Sequence, residues 1–283
     1  MLLETAVLAS GSSGNSIYVS DQNTSLLIDA GLSGKKIENR MKKIKRSPEN
    51  LDGVLLTHEH NDHISGAGVM ARRYQLPLYG SEGTLLKGAE KIGRVAEENI
   101  QQIKPGASWQ LGNLDISTFS LPHDAEEPVG YIIERGDIKL ALATDIGCVT
   151  SEILKKLKGA DILFLESNHD QDLLRTGSYP PSLKRRIRSE KGHLSNIEAA
   201  RLLPRLLTDK KNNGSQAAKP LVILSHLSAE NNRPELAYIT IKNSLRSADW
   251  QVGEDINLVC ADRHQVSKLY RKKEGNGGMS KTG

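Results

Sequence analysis

The chain has 283 residues, with 38 Lys+Arg against 34 Asp+Glu, 8 His and 2 Cys. That length suits one large domain or two small ones with ample core, and the formal excess of +4 is too small to announce a nucleic-acid binder. No apolar run approaches the ~18 residues a bilayer crossing needs, the N-terminus lacks the basic start of a signal peptide, and two cysteines exclude a disulfide framework or a four-Cys zinc site.

In chain order, Leu2–Ala9 and Ser16–Val19 read as strands joined by Ser10-Gly-Ser-Ser-Gly-Asn15, and Ser25–Asp29 follows before a turn at Gly31. Lys35–Arg46 carries Ile37, Met41 and Ile44 at helical spacing. Gly53–Thr57 is a buried strand, Ser65–Tyr74 and Gly83–Lys91 read as helices, and Leu76–Tyr79 is a short strand between them.

Strands return at Trp109–Leu111, Leu114–Ser120, Val129–Glu134 and Ile138–Thr144. Then come a helix at Ser151–Leu157, a strand at Ile162–Leu165, a helix at Ser195–Leu207, a strand at Leu221–Ser225 and a helix at Pro234–Ser247. Strands near Asn257–Cys260 and Val266–Tyr270 close the pattern, which predicts layered α/β packing. Asp209–Lys219 reads as a surface loop and 274–283 as a Gly-rich disordered tail, leaving 1–273 as the domain. Cys148 and Cys260 read as small core residues, which suits a reducing cytoplasm.

The strongest chemical signal is Thr57-His58-Glu59-His60-Asn61-Asp62-His63, an H-x-H-x-D-H run between a buried strand and a helix. A loop at a strand's carboxyl end is where α/β proteins build sites. Four ligand-type side chains in six positions need a cation to converge on, and imidazole with carboxylate suits zinc, manganese or iron. Further candidates each directly follow a hydrophobic strand: His123, Asp145 and His226.

These residues and their order resemble the metallo-β-lactamase superfamily over nearly the whole chain. The resemblance implies a four-layer αββα sandwich with two divalent metal ions at one edge. It implies His58, His60 and His123 on one ion, Asp62, His63 and His226 on the second, and Asp145 bridging. Asp62 thereby counts among both the ligands and the catalytic residues. Asp29 matches the early buried Asp that supports the motif loop.

Gly192-His193-Leu194-Ser195, with Ser195 placed to cap a helix, and the stretch Ile223–Asn232 resemble later motifs of the RNase Z and RNase J phosphodiesterases. That likeness puts His193 at the scissile phosphate, stabilising or protonating the leaving oxygen. Ala9–Asn15, Glu166-Ser-Asn-His-Asp170 and the Gly-His-Leu-Ser and Ser-His-Leu-Ser pair resemble the smaller YycJ group, also called WalJ or VicX. That group lacks the β-CASP insert, for which Asp145 to His226 leaves no room here. The resemblance implies a 5′–3′ double-stranded DNA exonuclease acting through a metal-bridging hydroxide that attacks phosphorus in line.

A DNA partner needs a basic surface. Lys184-Arg185-Arg186-Ile187-Arg188-Ser189-Glu190-Lys191 has five basic residues and one acid directly before His193, so Lys184, Arg185, Arg186 and Arg188 are candidate phosphate contacts. Lys35–Arg46 has seven basic residues and one acid but reads as an ordinary amphipathic helix. Aromatics are 4%, which disfavours base-stacking platforms and favours backbone binding. His169 stands open between substrate contact and support of a ligand, and His264 has no motif. Competing readings are a small phosphodiester, thioester or lactone hydrolase of the same fold, and a non-catalytic metal-bearing regulator in a two-component pathway. No membrane partner is expected, and oligomeric state is not legible.

Overall fold

Each half of the chain lays down its own sheet. The computed structural model describes residues 1–212 and 219–274. The first half runs β1 (Leu2–Ala9), β2 (Ser16–Ser20), β3 (Ser25–Ile28), α1 (Gly34–Lys43), β4 (Gly53–Leu55), α2 (Asn61–Ile64), α3 (Ala67–Tyr74), β5 (Leu78–Ser81), α4 (Glu82–Ile92) and β6 (Ile100–Ile103). The second runs β7 (Ser108–Leu111), β8 (Leu114–Ser120), β9 (Val129–Arg135), β10 (Ile138–Ala143), α5 (Ser151–Leu157), β11 (Ile162–Glu166), α6 (Gln171–Thr176), α7 (Pro181–Ile187), α8 (Asn196–Asn212), β12 (Leu221–Ser225), α9 (Pro234–Ser247), β13 (Asn257–Cys260) and β14 (Tyr270–Lys273).

The sheets have strand orders β14-β1-β2-β3-β4-β5-β6 and β13-β12-β11-β10-β9-β8-β7. Each begins with antiparallel meanders and continues in parallel strands: β3 to β6 in the first sheet, β10 to β13 in the second. The C-terminal β14 crosses back to pair with β1.

Strand alternation decides the layers. In β10, Leu140 and Leu142 face the other sheet while Ala141 and Ala143 face the helices; β11 divides Ile162 and Phe164 from Leu163 and Leu165 in the same way. β1 likewise sends Leu3 and Val7 to the inter-sheet core and Ala6 and Leu8 outward. Strands buried on both faces read as continuous apolar runs. The result is three cores in sequence: α1 and α3 on the first sheet, sheet on sheet, then α5, α8 and α9 on the second. This is the αββα sandwich expected from the sequence.

Local differences have physical causes. The helix predicted over Ser65–Tyr74 starts at Ala67, after a separate short α2, because Gly66 N donates to Ala30 O at 2.7 Å and a Cβ at Gly66 would meet Leu32 O at 2.0 Å. The strand predicted at Val266–Tyr270 starts only at Tyr270; Val266 and Leu269 pack irregularly on the outer core of the first sheet. The loop predicted at Asp209–Lys219 is helical to Asn212, since its polar residues still form helix; positions 213–218 lie outside the described residues. So do 275–283 of the predicted tail, while Glu274 accepts from the Met1 amine at 2.9 Å. Cys148 and Cys260 are half-buried and free; Cys260 packs against the core of the second sheet and its helices. Among the described residues, no helix is long and apolar enough to cross a membrane.

Candidate metal centre

The carboxyl ends of β3, β4, β8, β10, β11 and β12 converge at one edge of the sandwich, and each carries a site residue: Asp29, the His58–His63 loop, His123, Asp145, Glu166 and His226. Asp29, Asp145 and His226 all sit in left-handed backbone, with φ of 61°, 59° and 57°. For a non-glycine residue that conformation is uncommon and costs about 1 kcal/mol or more. Here it turns each side chain sharply off its strand into the shared cleft.

The H-x-H-x-D-H loop is held from below by Asp29. Its Oδ1 accepts from Thr57 N at 2.8 Å, and its Oδ2 accepts from His63 Nδ1 at 2.7 Å and Thr57 Oγ1 at 2.9 Å. Asn15 holds the loop from the side: its Oδ1 accepts from Gly11 N, and its Nδ2 donates to Asp62 O and Oδ2. Gly31 passes so close that a Cβ there would meet Asp62 O at 1.7 Å. The Gly-Ser-Ser-Gly bend needs its glycines, with Gly11 and Gly14 at φ of 119° and 144°.

Four of the histidines share one arrangement. His58 Nδ1 lies 3.0 Å from Thr57 Oγ1, His63 Nδ1 bonds Asp29, His123 Nδ1 lies 3.2 Å from Gly192 O, and His226 Nδ1 lies 2.8 Å from Glu166 Oε1. Each can donate Nδ1–H outward, which leaves Nε2 facing the centre. Such outer acceptors fix the tautomer and raise the basicity of a ligating imidazole. His60 differs: its Nδ1 lies 3.3 Å from His123 Nε2.

Ligand-type atoms within 4.8 Å of one another form the sets His58–His60–His123, Asp62–His63–His226, His58–His63–Asp145 and Asp145–Glu166–His193–His226. All seven residues of the expected ligand set therefore meet, and Asp145 belongs to both halves of the cluster. Its Oδ2 is 3.2 Å from His63 Nε2 and its Oδ1 is 3.2 Å from His226 Nδ1. The donors also test whether a cation fits. His58 Nε2, His226 Nε2 and Asp145 Oδ2 are buried with no hydrogen-bond partner. Unsatisfied buried polar atoms are costly, and three gathered at one point suit a divalent ion bound by imidazole and carboxylate.

Charges in the cluster are set by its own members. Burial and the neighbouring His63 push His58 well down, so it is neutral, the form that ligates. Burial also carries His123 below its ordinary value. Burial opposes charge on His63 as well, but Asp145 and Asp29 hold it well above its usual range. For His226, burial is outweighed by Asp145, Asp62 and Glu166, which push it up to about 10. Burial would raise the Asp145 carboxyl, yet His226 and His63 hold it well below the carboxylate range.

Glu166 is a functional residue that the reading of motifs passed over, although it opens the phrase Glu-Ser-Asn-His-Asp. It is fully buried. Its Oε1 lies 2.8 Å from His193 Nδ1 and from His226 Nδ1, and its Oε2 accepts from Ile146 N and Leu194 N. With those acceptors occupied it is a support, not a metal ligand. Burial would raise its carboxyl, but His193 and His226 hold it at about 2. Burial would likewise depress His193, whereas Glu166 raises it. The signal was available: Glu166 follows a hydrophobic strand directly, as Asp145 and His226 do.

The remaining candidates separate. His193 lines the cleft, next to Ser195, whose Oγ accepts from Glu198 N and donates to Glu198 Oε2 in a capping box. Arg186 also lines the cleft, whereas Lys184 Nζ is taken by the carbonyls of Arg175 and Gly177 at 2.9 and 2.7 Å. Arg185 and Arg188 are exposed and do not line it. His169 is 1% exposed and not in the cleft; its peptide bridges to Ser195 and its Nδ1 has no partner, so substrate contact is corrected to a buried supporting place. His264 is exposed.

The fold and this donor set define a hydrolase scaffold that uses divalent metal, and the chain belongs to the metallo-β-lactamase superfamily, with the Beta-lactamase superfamily domain model matching residues 24–211. Within it, the chain is 42% identical to Exodeoxyribonuclease WalJ of Streptococcus pneumoniae serotype 2, covering 89% of this chain and 92% of that one. It is 38% identical to Exodeoxyribonuclease YycJ of Bacillus anthracis, over 95% and 99%. Its fold is similar to the metallo-beta-lactamase fold protein YhfI from Bacillus subtilis, with TM-score 0.67, 17% identity and coverage of 94% and 99%.

Proposed function

We propose that this chain is a metal-dependent exodeoxyribonuclease that hydrolyses the DNA backbone from the 5′ end of a duplex, with 1–273 as one hydrolase domain working in the cytoplasm. The substrate reading is supported by full-length likeness to two proteins named exodeoxyribonucleases. The observation that carries the chemistry is the set of unpartnered buried atoms on His58, His226 and Asp145.

In this reading His58, His60 and His123 would hold one divalent ion, Asp62, His63 and His226 would hold a second, and Asp145 would serve both. When bound, such ions supply Lewis-acid activation of water and of the phosphoryl group. The chain's own residues do the rest. Asp29, Thr57, Gly192 O and Glu166 keep the imidazole Nε2 atoms aimed inward. His193, with Nδ1 on Glu166, which raises its pKa, would present Nε2–H to the departing 3′ oxygen as general acid. The cleft, about 210 Å³, is smaller than a typical ligand pocket, so in this reading only the reacting end of the strand would enter it.

The test is cleavage of 5′-labelled duplex DNA with zinc, manganese or iron(II). The expected result is stepwise release of nucleotides from the 5′ end, abolished in His60→Ala and Asp145→Ala proteins with unchanged circular dichroism. Retained activity in either variant would overturn the ligand assignment. Cleavage of bis-p-nitrophenyl phosphate alone would favour a small-molecule hydrolase.

A further inference from the structure

We infer that Arg186 takes a phosphate of the bound strand in the cleft, and that Asp124 is the positioning residue that aims it; this rests on the nuclease reading above. Arg186 is the one Lys or Arg among the described residues lining the cleft, whose floor carries the carboxylates of Asp62 and Asp145. A phosphodiester adds a further negative charge there, and Arg186 supplies a permanent positive one. Its side chain is 55% exposed, so it is reachable.

Its orientation is set at both ends. Arg186 Nε donates to Asp124 Oδ2. The other oxygen of that carboxylate, Oδ1, is 3.4 Å from His123 Nε2 and 3.9 Å from His60 Nε2. Asp124 therefore tethers the guanidinium to the rim of the histidine cluster by its Nε edge. Nη1 and Nη2 bond nothing else among the described residues, and these are the atoms that would meet a phosphate. The helix bearing Arg186 is itself fixed to the site: His193 N donates to Ile187 O at 2.9 Å, and a Cβ on Gly192 would meet Ile187 O at 2.2 Å. Arg186 and His193 thus stand at a set spacing over the same floor.

Asp124 was not visible as a partner of Arg186 in the sequence, because it lies next to His123 and 62 positions from Arg186.

The experiment measures steady-state cleavage of duplex DNA by metal-loaded wild-type, Arg186→Gln, Arg186→Lys, Asp124→Asn and the Arg186→Gln/Asp124→Asn double variant, at several salt concentrations. For Arg186→Gln, KM is expected to rise about tenfold and the salt slope of binding to fall by about 1. Arg186→Lys should recover the slope but only part of KM, having a charge without a fork. Asp124→Asn should raise KM when Arg186 is present and add nothing when it is absent, with metal content by mass spectrometry equal throughout. An unchanged KM and slope in Arg186→Gln overturns the inference. So does an Asp124→Asn effect of the same size in both backgrounds, or one that follows loss of metal. If wild-type protein cleaves no DNA, the nuclease reading fails. The Arg186 inference is then decided by the affinity of inorganic phosphate in calorimetry: a drop in Arg186→Gln supports it and no change overturns it.

Discussion

His193 and His226 hang on the same atom: Glu166 Oε1 lies 2.8 Å from the Nδ1 of each. One buried carboxylate thereby orients a proposed metal ligand and a proposed proton donor. Changes at Glu166 should be felt in both roles.

Replacing Glu166 with Gln keeps the size and an acceptor but removes the charge. Since Glu166 raises His193, its loss lowers the His193 pKa. Protonated His193 is the active form, so activity is lost as pH rises through that pKa. The alkaline limb of the kcat profile should move to lower pH, and kcat should fall about 10²–10⁴-fold. A pH–rate profile on the metal-loaded variant checks both. An unmoved limb would remove His193 from the acid role.

Metal uptake should release protons. In the metal-free protein His63 is held well above its usual range and His226 at about 10. Both are protonated at pH 7, and a ligating Nε2 cannot keep its proton. Affinity should therefore rise with pH between 6 and 9. Calorimetric titration with zinc in buffers of different ionisation enthalpy should give a release of about two protons per protein. No buffer dependence would contradict the assignment of these two ligands.

His169 should make the fold acid-sensitive. Burial carries it from 6.5 to about 4. Below its unfolded pKa the unfolded chain binds the proton that the folded one refuses, so stability is complete above pH 6.5 and falls as pH drops toward 4. The loss is about 3 kcal/mol at most. Urea unfolding of metal-free wild-type and His169→Asn proteins at pH 7 and 4.5 checks this. The variant should be the less pH-dependent of the two.

Gly31→Ala should dislodge the motif loop without replacing any proposed ligand. Its Cβ would meet Asp62 O at 1.7 Å and Asn15 N at 2.7 Å, both backbone atoms that cannot swing away. Metal affinity is expected to fall about 10–100-fold, as when an outer support of a ligand is lost. Competition against a chromogenic chelator measures it.

Much of this was legible in the sequence because strands buried on both faces write continuous apolar runs, and polar residues directly after them mark the site edge. His123, Asp145 and His226 were visible by that rule, while Asp29 came from the family resemblance. Glu166 obeyed it too but was hidden by being read as part of a phrase. α6 and α7 were missed because they are short and bracketed by Gly177 and Pro180, with little apolar periodicity. The basic run looked uniform as letters. Only the fold distinguishes Arg186, which faces the cleft, from Lys184, which closes a turn, and from Arg185 and Arg188, which face water. His169 stayed open between two roles because a histidine beside a motif says nothing about which side of the chain it occupies.

The division of the centre between two sheets has a consequence for how the protein is made. A chain leaving the ribosome N-terminus first presents His58, His60 and His63 early, with the first sheet to support them. His123 and Asp145 follow, but the donor His226 and the strand that carries it come much later. With the proposed ligands, the early loop would be an incomplete chelator during synthesis, and the order of manufacture itself would delay tight metal capture until the second sheet has closed over the first.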